Sequence, residues 1–150
     1  MLIYLSMRTT KGQASRKMPY KTWLLTGALL LMPWIAHAAG LGKLTILSAL
    51  GRPLLAEVDL LSVQKDELAT LTARLASPEA FTRANVQYSQ ALIGVRLSIE
   101  RRADGRHYIK IVSTRPVNEP FIDLLVELNW AQGRLVREYT ALIDALALKA

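Results

Sequence analysis

Phe121-Ile122-Asp123-Leu124-Leu125-Val126-Glu127-Leu128-Asn129-Trp130, then Ala131-Gln132-Gly133, then Leu135-Val136-Arg137-Glu138-Tyr139-Thr140 once Arg134 is passed: two apolar, β-branched runs with a glycine-bearing break between them read as a long antiparallel hairpin. A three-residue loop Ala131-Gln132-Gly133 sets Glu127 opposite Arg137, whereas a register one residue away sets Glu127 opposite Glu138. Cross-strand charge pairing selects the first, and it asks Gly133 to take a left-handed conformation.

Working outward, the same pattern recurs. In Val95-Arg96-Leu97-Ser98-Ile99-Glu100 and His107-Tyr108-Ile109-Lys110-Ile111 the apolar side chains fall on odd numbers. A loop Ala103-Asp104-Gly105 then places Ile99 opposite Ile109 and Leu97 opposite Ile111, with Gly105 left-handed; burial of one face selects it over a two-residue Asp-Gly turn. Upstream, Leu44 to Leu47 and Leu54 to Leu61 flank the breaker Gly51-Arg52-Pro53, and Leu54, Ala56, Val58 and Leu60 alternate against Glu57 and Asp59. From Lys65 to Ala76 the period changes. Leu68, Leu71 and Leu75 share a stripe, Asp66 and Glu67 suit a helix start and Arg74 a helix end. Ser77-Pro78-Glu79 looks like a second N-cap with proline at the first helical position, leading through Phe81 to Arg83. Pro116 and Pro120 bracket a surface connection, Val117-Asn118-Glu119, into the final hairpin. Six strands and one helix at these spacings predict a mainly β (α+β) domain of antiparallel sheets, sandwich-like, with one short helix inserted after the second strand.

The first 38 residues read differently. Arg8, Lys11, Arg16, Lys17 and Lys21 lead into the apolar run Trp23 to Met32, then Pro33, then Ala36-His37-Ala38. That is the form of a secretory signal peptide with an A-x-A cleavage site, predicted cut between Ala38 and Ala39. The apolar stretch Thr22 to Ala38 is about 17 residues with Gly27 and Pro33 inside it, short of the roughly 20 that span a bilayer core, so a retained inner-membrane anchor is the lesser reading. Ser15-Arg16-Lys17 lacks the second arginine of a twin-arginine leader, so general secretion is expected. Translation starting at Met7 or Met18 would give a more compact leader. The expected organisation is a signal peptide (1–38), a periplasmic domain (39–144) and a short tail (145–150).

Charge follows from that division. The chain carries 19 Lys+Arg and 12 Asp+Glu; five bases and no acids precede residue 39, leaving 14 against 12. A net charge of +2 gives little footprint for a nucleic-acid binder, and no nucleic-acid partner is expected. The remaining basic cluster, Arg101-Arg102 with Arg106, surrounds a turn and reads as a solvated hairpin tip. Cysteine is absent, so an exported domain must fold without disulfides, and thiol catalysis, Cys-based zinc and redox work are excluded. About 112 residues suffice for an independent core.

No catalytic, cofactor-binding or metal residue is named. His107, the one imidazole past residue 38, sits beside a turn with arginines and no nucleophile or acid in view. A metal would need scattered carboxylates and that single histidine. Asp123 and Glu127 lie about 13 Å apart on one strand face, beyond a glycosidase pair, and read as solvated charges. No glycine-rich strand-to-helix loop offers a phosphate cradle. Phe81, Tyr88, Tyr108, Phe121, Trp130 and Tyr139 read first as core and sheet packing.

Several stretches carry a resemblance: Ala39-Gly40-Leu41-Gly42-Lys43-Leu44; Ser48-Ala49-Leu50-Gly51-Arg52-Pro53-Leu54; Leu75-Ala76-Ser77-Pro78-Glu79-Ala80-Phe81; Arg115-Pro116-Val117-Asn118-Glu119-Pro120-Phe121; and Asn129-Trp130 through Arg137-Glu138-Tyr139. In combination they resemble the periplasmic N-terminal domain of the FimV/HubP family, from the cleavage site to Asp144. The resemblance implies a polar hub role in type IV pilus assembly and twitching motility, a protein partner in the periplasm or inner-membrane pilus machinery, no cofactor and no enzyme activity. Family members usually continue into a peptidoglycan-binding LysM module, a transmembrane helix and an acidic cytoplasmic part, none of which this sequence contains. The resemblance assigns no chemistry to Asn118 or Trp130. The leading expectation is a non-catalytic periplasmic protein-interaction domain. Exposure of Trp130 and Tyr139 on one flat surface would favour a peptidoglycan- or carbohydrate-binding module instead, and a pocket joining His107 to a serine and an acid would favour a hydrolase. A fourth reading, the front part of a longer gene product, is decided by the reading frame beyond Ala150.

Overall fold

A computed structural model describes residues 39–145. The expected leader and residues 146–150 of the expected tail lie outside the described residues. Seven strands are present: β1 (Gly40–Ile46), β2 (Pro53–Leu61), β3 (Thr72–Leu75), β4 (Arg96–Arg101), β5 (His107–Pro116), β6 (Phe121–Trp130) and β7 (Gly133–Leu142), with short helices α1 (Lys65–Leu68) and α2 (Pro78–Arg83). They form two antiparallel sheets, β1-β2-β5-β4 and β3-β6-β7. The mainly β, sandwich-like expectation therefore holds.

Alternation explains the layers. In β2 Leu54, Ala56, Val58 and Leu60 point inward, and Ile109 and Ile111 of β5 join them. Ile122, Leu124, Val126 and Leu128 of β6, with Tyr139 and Ala141 of β7, supply the opposing inner face. Phe81 of α2 is fully buried, its ring edge-on to Tyr88 at 5.1 Å between centroids. Each large apolar side chain so buried contributes about 1.5–3 kcal/mol relative to exposure, so the facing rows hold the sandwich together without a staple.

The β4–β5 hairpin has the expected register: Ile99 faces Ile109 and Leu97 faces Ile111. Arg102 N–H donates to Arg106 O (2.8 Å), closing the loop Ala103-Asp104-Gly105, and Gly105 sits at φ +89°. Ser77 caps α2 by accepting from Ala80 N–H, with Pro78 at the first helical position, also as expected.

Three expectations need correction. First, the helix expected over residues 65–76 stops at Leu68, and Thr72–Leu75 form β3 against β6. Leu71, Ala73 and Leu75 also alternate, so the run satisfies both periods, and pairing with β6 decides between them. Second, the β6–β7 register differs by one residue: Trp130 faces Gly133, Glu127 faces Val136 and Val126 faces Arg137. The loop is the two residues Ala131-Gln132, and Gly133 is not left-handed. Burial decides this, because the observed register turns Leu135, Tyr139 and Ala141 inward beside Leu128, Leu124 and Ile122. Third, Val117 is buried rather than on a surface connection. Its N–H donates to Arg52 O (3.0 Å) and its carbonyl accepts from Gly51 N–H (2.7 Å), so the Pro116–Pro120 segment is tied to the β1–β2 turn.

Candidate functional site

Two side-chain arrangements on the sandwich stand out, one at the seam between sheets and one on an outer face. At the seam, β1 carries an irregularity: Leu41 faces Leu60, but Leu44 faces Val58. One extra residue in β1 is the signature of a bulge, which leaves carbonyls turned off the ladder. The Tyr139 hydroxyl donates to Gly42 O (2.7 Å), and the Arg137 guanidinium donates to Leu41 O. The Arg137 guanidinium also stands 4.9 Å from the Tyr139 ring centroid. A Cβ at Gly42 would meet Asp59 Cβ and O at 3.1 Å, so a side chain there would push β1 and β2 apart by a few tenths of an ångström. Burial holds the Tyr139 hydroxyl above the usual phenol range against the lowering influence of Arg137, so it stays a proton donor to Gly42 O.

On the outer face of the three-stranded sheet, Glu127 is 1% exposed although it points away from the core. Its Oε1 accepts from Arg74 Nε (2.8 Å) and Asn129 Nδ2 (2.9 Å), and its Oε2 accepts from the Arg134 guanidinium. Arg74 faces it from β3, and Arg134, opposite Asn129, reaches it diagonally from β7. The arginines are 67% and 52% exposed, so their stems cover the carboxylate while their heads remain in water. Burial alone would raise the Glu127 pKa; hydrogen bonds from Arg134, Asn129 and Arg74 outweigh it and bring it down to about 2. The expectation of a solvated Glu127 is thereby corrected: an uncompensated carboxylate would not stay charged there, and three donors make its burial possible. Asp123 does not join it. That carboxylate accepts from Thr140 Oγ1 (2.7 Å) farther along the face.

The arginine cluster at the β4–β5 tip is only partly a solvated one. Arg102 bridges Glu57 (2.7 Å) and Asp59 (3.1 Å) of β2 and stacks 4.3 Å from the Tyr108 ring centroid. Tyr108 OH donates to Glu100 (2.9 Å), which holds the Glu100 carboxyl below its usual value. Arg106 pairs within the loop to Asp104. Opposite charges thus answer one another across this face.

His107 is half-buried opposite Arg101 in the ladder, and no hydrogen bond or ion pair joins it to a serine or an acid among the described residues. No group of three His, Asp or Glu side chains suited to a metal occurs among the described residues, and no buried side-chain N or O there lacks a hydrogen-bond partner. Trp130 is half-buried with its indole over Gly133, whose Cβ would lie 3.0 Å from Cζ2. Tyr139 is 8% exposed. The two therefore do not share an exposed flat surface. Phe121 is the outlier among the aromatics, 63% exposed opposite the exposed Leu142.

The stretches that carry the family resemblance find one another in space. Leu41 and Gly42 accept from Arg137 and Tyr139; Gly51 and Arg52 bond Val117; Ser48 Oγ accepts from Leu55 N–H (2.9 Å); Ser77 caps α2. Apart from the Ser77 cap, sequence reading missed these pairings, and missed Arg74 and Arg134 as partners of Glu127. A charge inside an otherwise apolar run was the one available signal.

The family described as the FimV N-terminal domain, Ig-like, matches residues 39–146. The chain is 38% identical over 120 residues to the motility hub protein FimV of two Pseudomonas aeruginosa strains, PAO1 and UCBPP-PA14, covering 80% of this chain and 13% of the relative. The chain thus spans about an eighth of the length of the curated relatives it matches. No solved structure matches. With the match running over the whole described sandwich, the chain belongs to the FimV N-terminal domain family.

Proposed function

We propose that residues 39–144 form a non-catalytic periplasmic protein-interaction domain, exported on the leader 1–38, that docks on a partner of the inner-membrane pilus or polar assembly machinery and supports type IV pilus assembly and twitching motility. One observation carries this reading: the stretches on which the resemblance rests join strands and loops to one another, as at Gly42–Tyr139 and Gly51–Val117. Those residues build a scaffold, and its outer faces are left for recognition. The name of the matched relative, a motility hub protein, supports the same role. The seven strands among the described residues, with their buried side-chain polar atoms all partnered, suit a rigid docking body rather than a reaction site, which would assemble a nucleophile, a base and an oxyanion donor. The leader rests on the apolar run before Ala36-His37-Ala38. No helix among the described residues is long and apolar enough to cross a membrane.

The burial of Tyr139 counts against a carbohydrate surface built on Trp130 and Tyr139, since stacking on a sugar needs an open ring face. Photocrosslinking from positions Phe121, Leu142 and Arg134 in living cells tests the proposal. A discrete protein adduct from the periplasm is the expected result. Adducts to peptidoglycan alone would overturn it in favour of wall binding, and retention of the domain on purified sacculi would point the same way.

A further inference from the structure

β1 begins one residue after the expected cleavage bond. Ala39 is 3% exposed, Gly40 pairs with Leu61, and Leu41 is 4% exposed opposite Leu60. The next carbonyls, of Leu41 and Gly42, are taken by Arg137 and Tyr139. The first residues on the product side of the bond are therefore bound into the sandwich as soon as β1 is in place. A peptidase that cuts after Ala38 must hold several residues on both sides of the bond in an extended chain, and in the folded domain the downstream side is already a strand of the sheet.

We propose that leader removal and β1 docking exclude one another in time, so that a precursor whose domain folds first is locked uncut and stays attached to the membrane by its leader. The inference rests on the reading of residues 1–38 as a cleavable leader. The lock is the head of β1, and the two side chains that close it come from β7, nearly a hundred residues away in sequence, so it forms only when the whole sandwich has assembled. Before that point the bond lies in free chain and is open to the enzyme. Whether the product is released or tethered is then set by a race between processing and the folding of this domain. Side-chain contacts between partners this far apart in sequence, made only after the two sheets stack, make folding the slower runner under ordinary export. Any condition that delays the peptidase or speeds folding shifts product toward the tethered form.

The test compares three substrates of a purified general signal peptidase in detergent: a synthetic peptide of residues 18–46, the folded full chain, and the full chain carrying Gly42→Val or Tyr139→Phe. The peptide contains the bond without the domain that binds the residues downstream of it. Mass and N-terminal sequence report cutting between Ala38 and Ala39. The expected result is that the folded chain is cut about 100-fold or more slowly than the peptide, at the rate of local opening of β1. Gly42→Val, which drives a side chain into Asp59, should recover most of that rate. Tyr139→Phe, which keeps the ring and removes the donor to Gly42 O, should recover part of it with the domain still folded by circular dichroism. A folded chain cut as fast as the peptide overturns the lock and leaves the leader reading intact. A peptide not cut after Ala38 overturns the leader reading and the lock with it. Protection that survives both substitutions in a folded chain overturns the assignment to β1.

Discussion

The two hairpins β4–β5 and β6–β7 present nearly the same sequence signal and close in different ways. Each has alternating strands, charges near the tip and a glycine in the connecting segment. In β4–β5 the glycine is at φ +89° in a three-residue loop. In β6–β7 the loop has two residues, and Gly133 lies in the ladder beneath the Trp130 indole. For the first hairpin the burial of one face and the turn chemistry agree. For the second, the pairing of Glu127 with Arg137 points to one register and the apolar residues of β7 to another. A cross-strand ion pair is worth roughly 0.2–1 kcal/mol, whereas each large apolar side chain turned inward is worth about 1.5–3 kcal/mol. A slip of one residue would turn out Leu135, Tyr139 and Ala141 together. Burial wins by several-fold, and the charges take other partners.

The largest effect that separates the registers is at Tyr139. In the observed register Tyr139→Ala empties a buried ring site and strands the Gly42 carbonyl, so a loss of about 3–5 kcal/mol is expected. In the charge-set register the ring would face water and its removal would cost little. Urea midpoints of the two chains decide the matter, and a change under about 1 kcal/mol would refute the packing described for β7.

Glu127 comes next. Its folded pKa of about 2 lies below the ordinary carboxylate value, so its contribution is present in full above about pH 5 and disappears as pH falls toward 2. Glu127→Gln should cost up to about 3 kcal/mol near neutrality, and the gap between parent and variant should close as the solution is acidified across that window. A gap that stays constant from pH 7 to pH 3 would mean that the carboxylate is not clamped.

How much of this could be read in advance follows from which interactions are local. The β4–β5 turn was legible because residues 99 to 109 contain the facing ends of both strands and the glycine that joins them. β3 was not, since Leu71 and Leu75 fit a stripe at four and an alternation at two alike, and only an open edge on β6 distinguishes them. The Glu127 clamp needed Arg74 from 53 residues upstream. It also needed Arg134 on the diagonal, which no register based on directly opposite charges would supply. The Gly42–Tyr139 bond spans 97 residues and exists only once the sheets are stacked.

The glycines give a smaller and more specific contrast. Gly105→Ala should lose roughly 1 kcal/mol because a Cβ disfavours positive φ, and Gly105→Asn should recover most of it, since asparagine tolerates that region. Gly133 obeys a different rule. Its constraint is the indole 3.0 Å from where a Cβ would stand, so alanine and asparagine should both displace the ring. The measurement is the tryptophan emission of each variant against the parent. Rescue by asparagine at Gly133 as at Gly105 would restore the left-handed loop expected from sequence.

The smallest expected effect bears most directly on which charges pair. Arg137 bonds the Leu41 carbonyl from an exposed position, so Arg137→Ala should cost at most about 1 kcal/mol. Its coupling to Glu127 should be near zero, because the two side chains point to opposite faces of the sheet: Arg137 faces Val126 and Glu127 faces Val136. A double-mutant cycle between Arg137→Ala and Glu127→Gln should then add within about 0.3–0.5 kcal/mol. The same cycle with Arg134→Ala in place of Arg137→Ala should show a coupling of about 1 kcal/mol or more, since Arg134 donates directly to the buried carboxylate. Arginines only three positions apart on one strand thus serve as each other's control. Equal couplings for the two would mean that Glu127 reads a general positive field rather than the specific donors that bury it, and a larger coupling at Arg137 would reinstate the register that the charges alone suggest.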